Sequence, residues 1–394
     1  MKISTDRILT THVGSLPRPI ELVAALMDRE NGKPYDPIAL DRSVRESVRA
    51  IVAKQVDLGI DVVNDGEHSK SNFAAYVARR IGGFEPIDQP YSFTGKSRDM
   101  LEFGPVYEEN RAMNAARPSR QALIRKHQGY ACVAPVRYIG QADVKTDIEN
   151  LKAAMADTPA AEAFLTALSP GNVAWLYPNR HYKTEEEYRF ALADVMREEF
   201  KAITDAGIIL QIDDPRLITL YDREPDKSLT DCRKAMQAQI EVINHALRGI
   251  PEDKVRFHTC YSTNVAPRAN DLELKDYVDL MFTIKAGGYT FEAANPRHEH
   301  EWKVFEDVKL PEDKVVIPGM VSHCVALVEH PELVAQRIER FAGVVGRERV
   351  IASNDCGFAT AGAHDEVHPL VAWAKTKALA EGARIATKRL WGRK

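Results

Sequence analysis

The chain has 394 residues, with 53 basic and 57 acidic side chains and a formal net charge of −4. That balance, without a basic run of the kind that grips a phosphate backbone, argues against nucleic acid as a partner. Cys132, Cys232, Cys260, Cys324 and Cys356 are odd in number and lack a CxxC spacing, which argues against a disulfide framework and for a reducing compartment, the cytoplasm. The N-terminus lacks the apolar core of a signal peptide, and no stretch approaches the roughly 18 apolar residues of a membrane span, so a soluble protein is expected.

The first strand-like run, residues 7–13, closes in GSLPRP. Gly14 and Ser15 then stand at a strand end where backbone N–H groups are free to bind a ligand, and Pro17 and Pro19 force the chain out. A helical pattern over 40–58 is punctuated by Gly59, and IDVVNDGE reads as a second strand ending in Asp65 and Glu67. Beyond Phe84 the chain is rich in charge, Pro and Gly with little periodicity. We read 84–130 as an insertion after the second strand, a hairpin and a lid, and 130–140 as strand-like. The remainder alternates: a helix from Thr146 to about residue 168, the strand GNVAWLYP, and a helix over 184–206 whose Thr184 and Glu187 fit a capping box. The strand GIILQIDDP, a helix over 231–249, a strand at 255–259 and a helix over 273–285 follow. The series ends with the strand GGYTFEAANP, a helix from Glu301, the strand KVVIPGMV, a helix from Pro331 to Val345 and the strand VIASNDCG.

A period of about 35 residues per βα unit is the rhythm of a (β/α)8 barrel or a doubly wound sheet. Nine strand-like runs are present where a barrel needs eight, so residues 133–138 are assigned to the insertion. With no linker long enough to mark a second domain, residues 1–394 form a single α/β domain. The placement of polar residues favours the TIM barrel, whose strand C-termini converge on one mouth. Ser15, Glu67, Asp213, His258, Cys260, Glu292, His323 and Cys356 all fall at predicted strand ends or a step beyond. Each has a plainer explanation: Asp213 and Asp214 can cap a turn, and Cys356 can be a small buried residue.

On an extended segment His258 and Cys260 point to one face, so both can reach one metal ion; the plainer alternative is a buried thiol beside a hydrogen-bonded histidine. Glu292 and Cys356 are available to complete a site. A His, two Cys and a Glu suit zinc, a borderline metal that accepts nitrogen, sulfur and oxygen together. With two thiolates and a carboxylate such a site is electron-rich, a poor activator of water and a good carrier of thiolate. A substrate thiol that displaced the weakest ligand, Glu292, would remain nucleophilic near neutral pH, which points to S-alkylation.

The segments THVGSLPRP (11–19), NDGE (64–67), LQIDDP (210–215), FHTC (257–260), FEAANPRHEHEW (291–302), IPGMV (317–321) and NDCGF (354–358) together resemble the catalytic barrel of cobalamin-independent methionine synthases. The chain is more similar to the single-barrel relatives, among them epoxyalkane:coenzyme M transferase. The resemblance implies a TIM barrel with Zn2+ on His258, Cys260, Glu292 and Cys356. It further implies that Ser15 binds the carboxylate of a small thiol substrate, that Glu67 and Asp213 hold its amino group, and that His323, displaced by one position, donates a proton. The first barrel of the full-length synthases, which helps to hold a polyglutamate tail, has no counterpart here, so a non-polyglutamylated or protein-bound alkyl donor is expected. Arg297, His298 and His300 either form a solvated turn or act on substrate, anchoring an anionic group or protonating a leaving oxygen. Methyl transfer to homocysteine is the first expectation. Opening of an epoxide by a sulfonated thiol, with Arg18 and Arg297 as anion anchors, is the second, and a zinc-binding partner of a corrinoid protein the third. A homo-oligomer is compatible with the sequence.

Overall fold

The computed structural model describes residues 1–88, 96–116, 129–261, 267–360 and 367–392. Eight parallel strands lie in the order β1-β10-β9-β8-β7-β6-β5-β2: β1 (Leu9–Thr10), β2 (Val62–Val63), β5 (Glu162–Leu168), β6 (Ile209–Asp213), β7 (Val255–His258), β8 (Gly288–Phe291), β9 (Val315–Val321) and β10 (Ile351–Asn354). The ends of this sheet meet. The Asp61 N–H donates to the Thr10 carbonyl at 3.1 Å, and the Thr11 hydroxyl donates to the Val62 carbonyl at 3.0 Å. Helices between the strands wrap the outside, giving the expected α/β barrel. Among the described residues no helix is long and apolar enough to cross a membrane.

The insertion follows β2. Antiparallel strands β3 (Ile81–Ile87) and β4 (Gly129–Tyr138) form a two-stranded sheet apart from the barrel, with helices Arg98–Glu102 and Gly104–Ala116 between them. Of the segment 84–130, residues 89–95 and 117–128 lie outside the described ones.

One pair of elements reverses the expectation from sequence. GNVAWLYP is not a strand: Pro170–Leu176 is a short helix, and the barrel strand is EAFLTAL just before it. The reason is local. The Ser169 side chain accepts the Asn172 N–H at 3.1 Å, and Pro170 sits at the first helical position, where its missing N–H costs nothing. The helix expected to run from Thr146 to about residue 168 is Gln141–Asp157. The helices expected over 273–285 and from Glu301 shrink to single turns, Val278–Met281 and Val304–Asp307, each preceded by a 3-10 turn.

The barrel interior carries a cation that the hydrophobic pattern did not announce. Arg256, on β7, is 1% exposed. It donates from Nε to Gln211 Oε1 at 2.6 Å and from Nη1 to Thr11 Oγ1 at 3.0 Å, and lies over the Phe164 ring at 3.7 Å. Burial lowers its pKa to about 9 against the pull of Asp213. A buried charge of this kind persists only when hydrogen-bonded, and here it braces the floor beneath the site.

Candidate metal centre

Strand register brings the first ligands together. Asp213, the last residue of β6, pairs with His258, the last of β7, and His258 Nδ1 lies 2.8 Å from Asp213 Oδ1. Residues two apart share a strand face, so Gln211 also reaches Asp213 Oδ1, donating from Nε2 at 2.7 Å. These contacts link Arg256 through Gln211 and Asp213 to the imidazole and fix its plane, as carboxylates do for metal-binding histidines. The opposite nitrogen, His258 Nε2, is buried and has no hydrogen-bond partner among the described residues.

Two residues beyond His258 stands Cys260, and two beyond β10 stands Cys356. Their sulfurs are 3.1 Å apart, and one ligand atom from each of His258, Cys260 and Cys356 lies within 4.8 Å of the others. All three residues are buried. For His258 burial opposes the charge, yet the Asp213 hydrogen bond and the neighbouring Cys356 raise its pKa to about 9. The contact with Cys356 favours a Cys260 thiolate, but burial and the charges of Glu292 and Asp213 outweigh it and push the thiol up. Cys356 is pushed well above the ordinary thiol range by its hydrogen bond with Cys260 and by burial. Two crowded buried thiols hold their protons; a cation among them reverses that preference. The orphaned imidazole nitrogen and the paired sulfurs therefore fit a soft or borderline metal.

The Glu292 carboxylate, just past β8, belongs to a second group. One ligand atom from each of Glu292, His323 and Asp355 lies within 4.8 Å of the others, all three residues being buried. Glu292 Oε1 accepts the Tyr261 N–H at 2.8 Å, and Oε2 accepts from Arg268 Nη2 at 3.0 Å and Asn295 Nδ2 at 2.8 Å. Burial opposes the Glu292 charge, but the Arg268 guanidinium, with His323 and His298, brings its pKa down to about 2. Asp355 shows the opposite: burial, aggravated by the Glu292 charge, raises it to about 7 although the Ala293 and Ala294 N–H groups both donate to Oδ1 at 2.8 Å. A register shift between Ser353 and Asn354 carries Asp355 across β9 at Gly319, where any Cβ would lie 1.9 Å from Asp355 Oδ1.

On the β1, β2 and β5 side the polar residues are held in place. Glu67 has a left-handed backbone, φ 59°, the one non-glycine with positive φ among the described residues. Such strain persists where the surroundings enforce it: Asp65 Oδ1 accepts the Glu67 N–H at 2.9 Å. The Glu67 side chain accepts from Thr166 Oγ1 at 3.0 Å and Arg18 Nη2 at 3.3 Å, and Lys70 Nζ donates to Thr166 Oγ1 at 3.1 Å. Ser15 is buried with its Oγ lacking a hydrogen-bond partner among the described residues. It packs where a Cβ on Gly357 would stand, 2.1 Å away, so Gly357 is what lets Ser15 approach the Cys356 turn.

Arg18 is buried and also donates to the Glu67 and Ala359 carbonyls, while Arg297 and His300 are exposed. The turn that holds them is thus split: its outer residues face solvent, whereas His298 is buried with both ring nitrogens on carboxylates. Sequence reasoning missed Gln211, Arg256, Arg268, Asp271 and Asp355. Gln211, Arg256 and Asp355 had a signal, since each lies within two residues of a residue already singled out; Arg268 and Asp271 had none, sitting in a loop without periodicity.

The chain matches the family model described as the cobalamin-independent synthase, catalytic domain, over residues 8–95 and 126–376. It is 26% identical to a methionine synthase of Thermococcus kodakarensis over 352 residues, covering 88% of this chain and 86% of that protein. It is 25% identical to a methionine synthase of Saccharolobus islandicus over 386 residues, covering 97% and 95%. Among solved structures, a B12-independent methionine synthase from Shewanella sp. W3-18-1 in complex with selenomethionine superposes with a TM-score of 0.71 at 20% identity, covering 98% and 99%. One from Listeria monocytogenes, described as putative, superposes with a TM-score of 0.63 at 16% identity, covering 96% and 98%. These two likenesses show the barrel fold.

Proposed function

The chain belongs to the cobalamin-independent synthase catalytic-domain family, and from that premise we propose that it is a zinc-dependent thiol S-alkyltransferase that methylates homocysteine to methionine. The observation that carries this reading is the meeting of His258, Cys260 and Cys356 at the barrel mouth, ligand atoms within 4.8 Å of one another. The names of the similar proteins from Thermococcus and Saccharolobus agree with it. Glu292 is the fourth proposed ligand. Bound there, zinc would lower the pKa of an incoming thiol and keep its sulfur nucleophilic near neutral pH.

The remaining work falls to the chain's own groups. Asp213 holds His258 by Nδ1, leaving Nε2 for the metal. Glu67, with Asp213 beside the thiols, meets the substrate ammonium, and the Ser15 hydroxyl meets its carboxylate. His323, buried beside Glu292, supplies or takes the proton. The barrel mouth orients thiol and donor for in-line attack. The donor is a small or protein-bound methyl carrier without a polyglutamate tail. Because the thiols must stay reduced, this reading places the enzyme in the cytoplasm. Epoxide opening with a sulfonated thiol has less support, since Arg18 donates to Glu67 and Ala359 and Arg297 is exposed.

Metal analysis of the purified protein, coupled to a screen of thiols and methyl donors, tests the reading. The Glu67→Gln variant should raise KM for homocysteine by about tenfold, roughly the worth of one charged hydrogen bond, and leave a thiol without an amine unaffected. Equal losses for both thiols would refute the assigned acceptor.

A further inference from the structure

His298, the buried member of the NPRHEHEW turn, opens a line of alternating charges. Its Nδ1 lies 2.9 Å from Glu301 Oε2 and its Nε2 lies 3.1 Å from Asp271 Oδ2. Its ring stacks on Tyr261 at 4.1 Å with planes 6° apart. Asp271 Oδ2 also accepts from Arg268 Nε at 2.9 Å, and Arg268 Nη2 reaches Glu292. The order is Glu301, His298, Asp271, Arg268, Glu292, and the most exposed of these side chains, Arg268, reaches only 12%. Solvent screens such a line little, so each partner's position depends on the next.

The inserted segment grips the same loop from the other side. Asp99 Oδ1 accepts the N–H groups of Ala269 and Asn270 and the Asn270 amide, each at 2.9 Å. Tyr107 donates to the Pro267 carbonyl at 2.9 Å, and Asn270 donates to Glu102 at 2.8 Å. Residues 267–271 are therefore pinned between the insertion and the His298 turn, and the side chain they present to the metal centre is Arg268.

We infer that Arg268 is a dock for Glu292. Its guanidinium holds the carboxylate in competition with metal ligation, and Asp99 and His298 are positioning residues that fix the dock. Through Asp99 the insertion acts on the metal site, governing how readily Glu292 joins and leaves the ion. This rests on the reading of Glu292 as a ligand. The sign of the effect separates it from a structural role: removing Arg268 strips the metal-free protein of a carboxylate partner that the metal-bound form has given up, so zinc binding tightens.

The test is zinc affinity of the metal-free protein, measured in competition with a chromophoric chelator. Arg268→Met should bind zinc at least about tenfold more tightly, Arg268→Lys should return part of the way, and Asp99→Ala should shift in the same direction by less. In the Glu292→Gln background the Arg268 substitution should have no effect. Loosened binding in Arg268→Met, an equal change in both backgrounds, or unchanged affinity with only a lowered unfolding temperature would overturn the dock. If Glu292→Gln leaves zinc affinity intact while Cys260→Ser abolishes binding, the dock falls and the zinc reading stands. If Cys260→Ser retains stoichiometric zinc, the zinc reading itself fails and the dock with it.

Discussion

Two buried polar clusters lie side by side at the barrel mouth and solve the problem of burial in opposite ways. In the Glu292, His323 and Asp355 cluster the charge is balanced from within the chain: Arg268 keeps Glu292 ionised, and Asp355 beside it is pushed toward neutrality. In the His258, Cys260 and Cys356 cluster the balance is missing. Two sulfurs crowd each other, an imidazole nitrogen has no hydrogen-bond partner among the described residues, and the Asp213 carboxylate is committed to the far side of the ring. A buried polar group left without a partner is costly. Both groups could hold a metal ion, and each contains a buried atom without a hydrogen-bond partner among the described residues, His258 Nε2 and Asp355 Oδ2; what sets them apart is that Glu292 already has a guanidinium partner in Arg268, whereas the two sulfurs lie against each other.

The strongest way to break this comparison is to remove a sulfur. Cys260→Ser or Cys356→Ser should abolish stoichiometric zinc and cut turnover by more than the ~100-fold that losing a supporting residue costs; a variant with full metal content would refute the site. Next comes the support itself. Asp213→Asn, which cannot match the charge beside His258 Nδ1, should weaken zinc binding by about 10–100-fold, read in the same chelator competition. No change would mean that the imidazole is oriented by packing alone.

A third measurement sets the background against which both clusters are judged. His12 and His68 are buried outside them, and burial, reinforced by Arg256 and Arg18 respectively, lowers each pKa to about 3. Their folded-state pKa values lie below the unfolded value, so the unfolded chain takes up protons first. The stability they permit is complete above about pH 6.5 and is lost as pH falls toward 3, by up to about 1.4 kcal/mol per pH unit for each histidine. Denaturant unfolding over this range should show that slope, and His68→Gln should flatten it by one histidine's share. An unchanged slope would show that His68 does not carry it. The smallest effect is expected of Asp355→Asn, whose Oδ1 can still accept the Ala293 and Ala294 N–H groups. Stability should change by less than about 1 kcal/mol, with zinc content unaltered; loss of zinc would show that Asp355 supports the metal site that Glu292 is proposed to complete.

Much of the barrel was legible because it depends on short-range rules. The strand–helix period, the capping of 184–206 and the step from Pro331 to Val345 follow from propensity and caps, and the structure returns them nearly unchanged. The error over 162–176 has the same origin. An apolar run of that length does not by itself distinguish a buried strand from a short helix; the deciding signal is Ser169 before Pro170.

By itself the sequence determined that Asp213, His258, Cys260, Glu292 and Cys356 stand at strand ends or within two residues of them. A His two residues before a Cys shares its face on an extended strand, and polar residues at strand ends gather wherever parallel strands close. Only the tertiary structure decided how those residues are partnered. Glu292 lies beside Arg268, 24 residues away in the chain, and that loop is held by Asp99, 170 residues from Ala269. Charge pairing at such separations depends on the path of loops without periodicity, and burial strengthens every pair it encloses, so no local pattern could announce them.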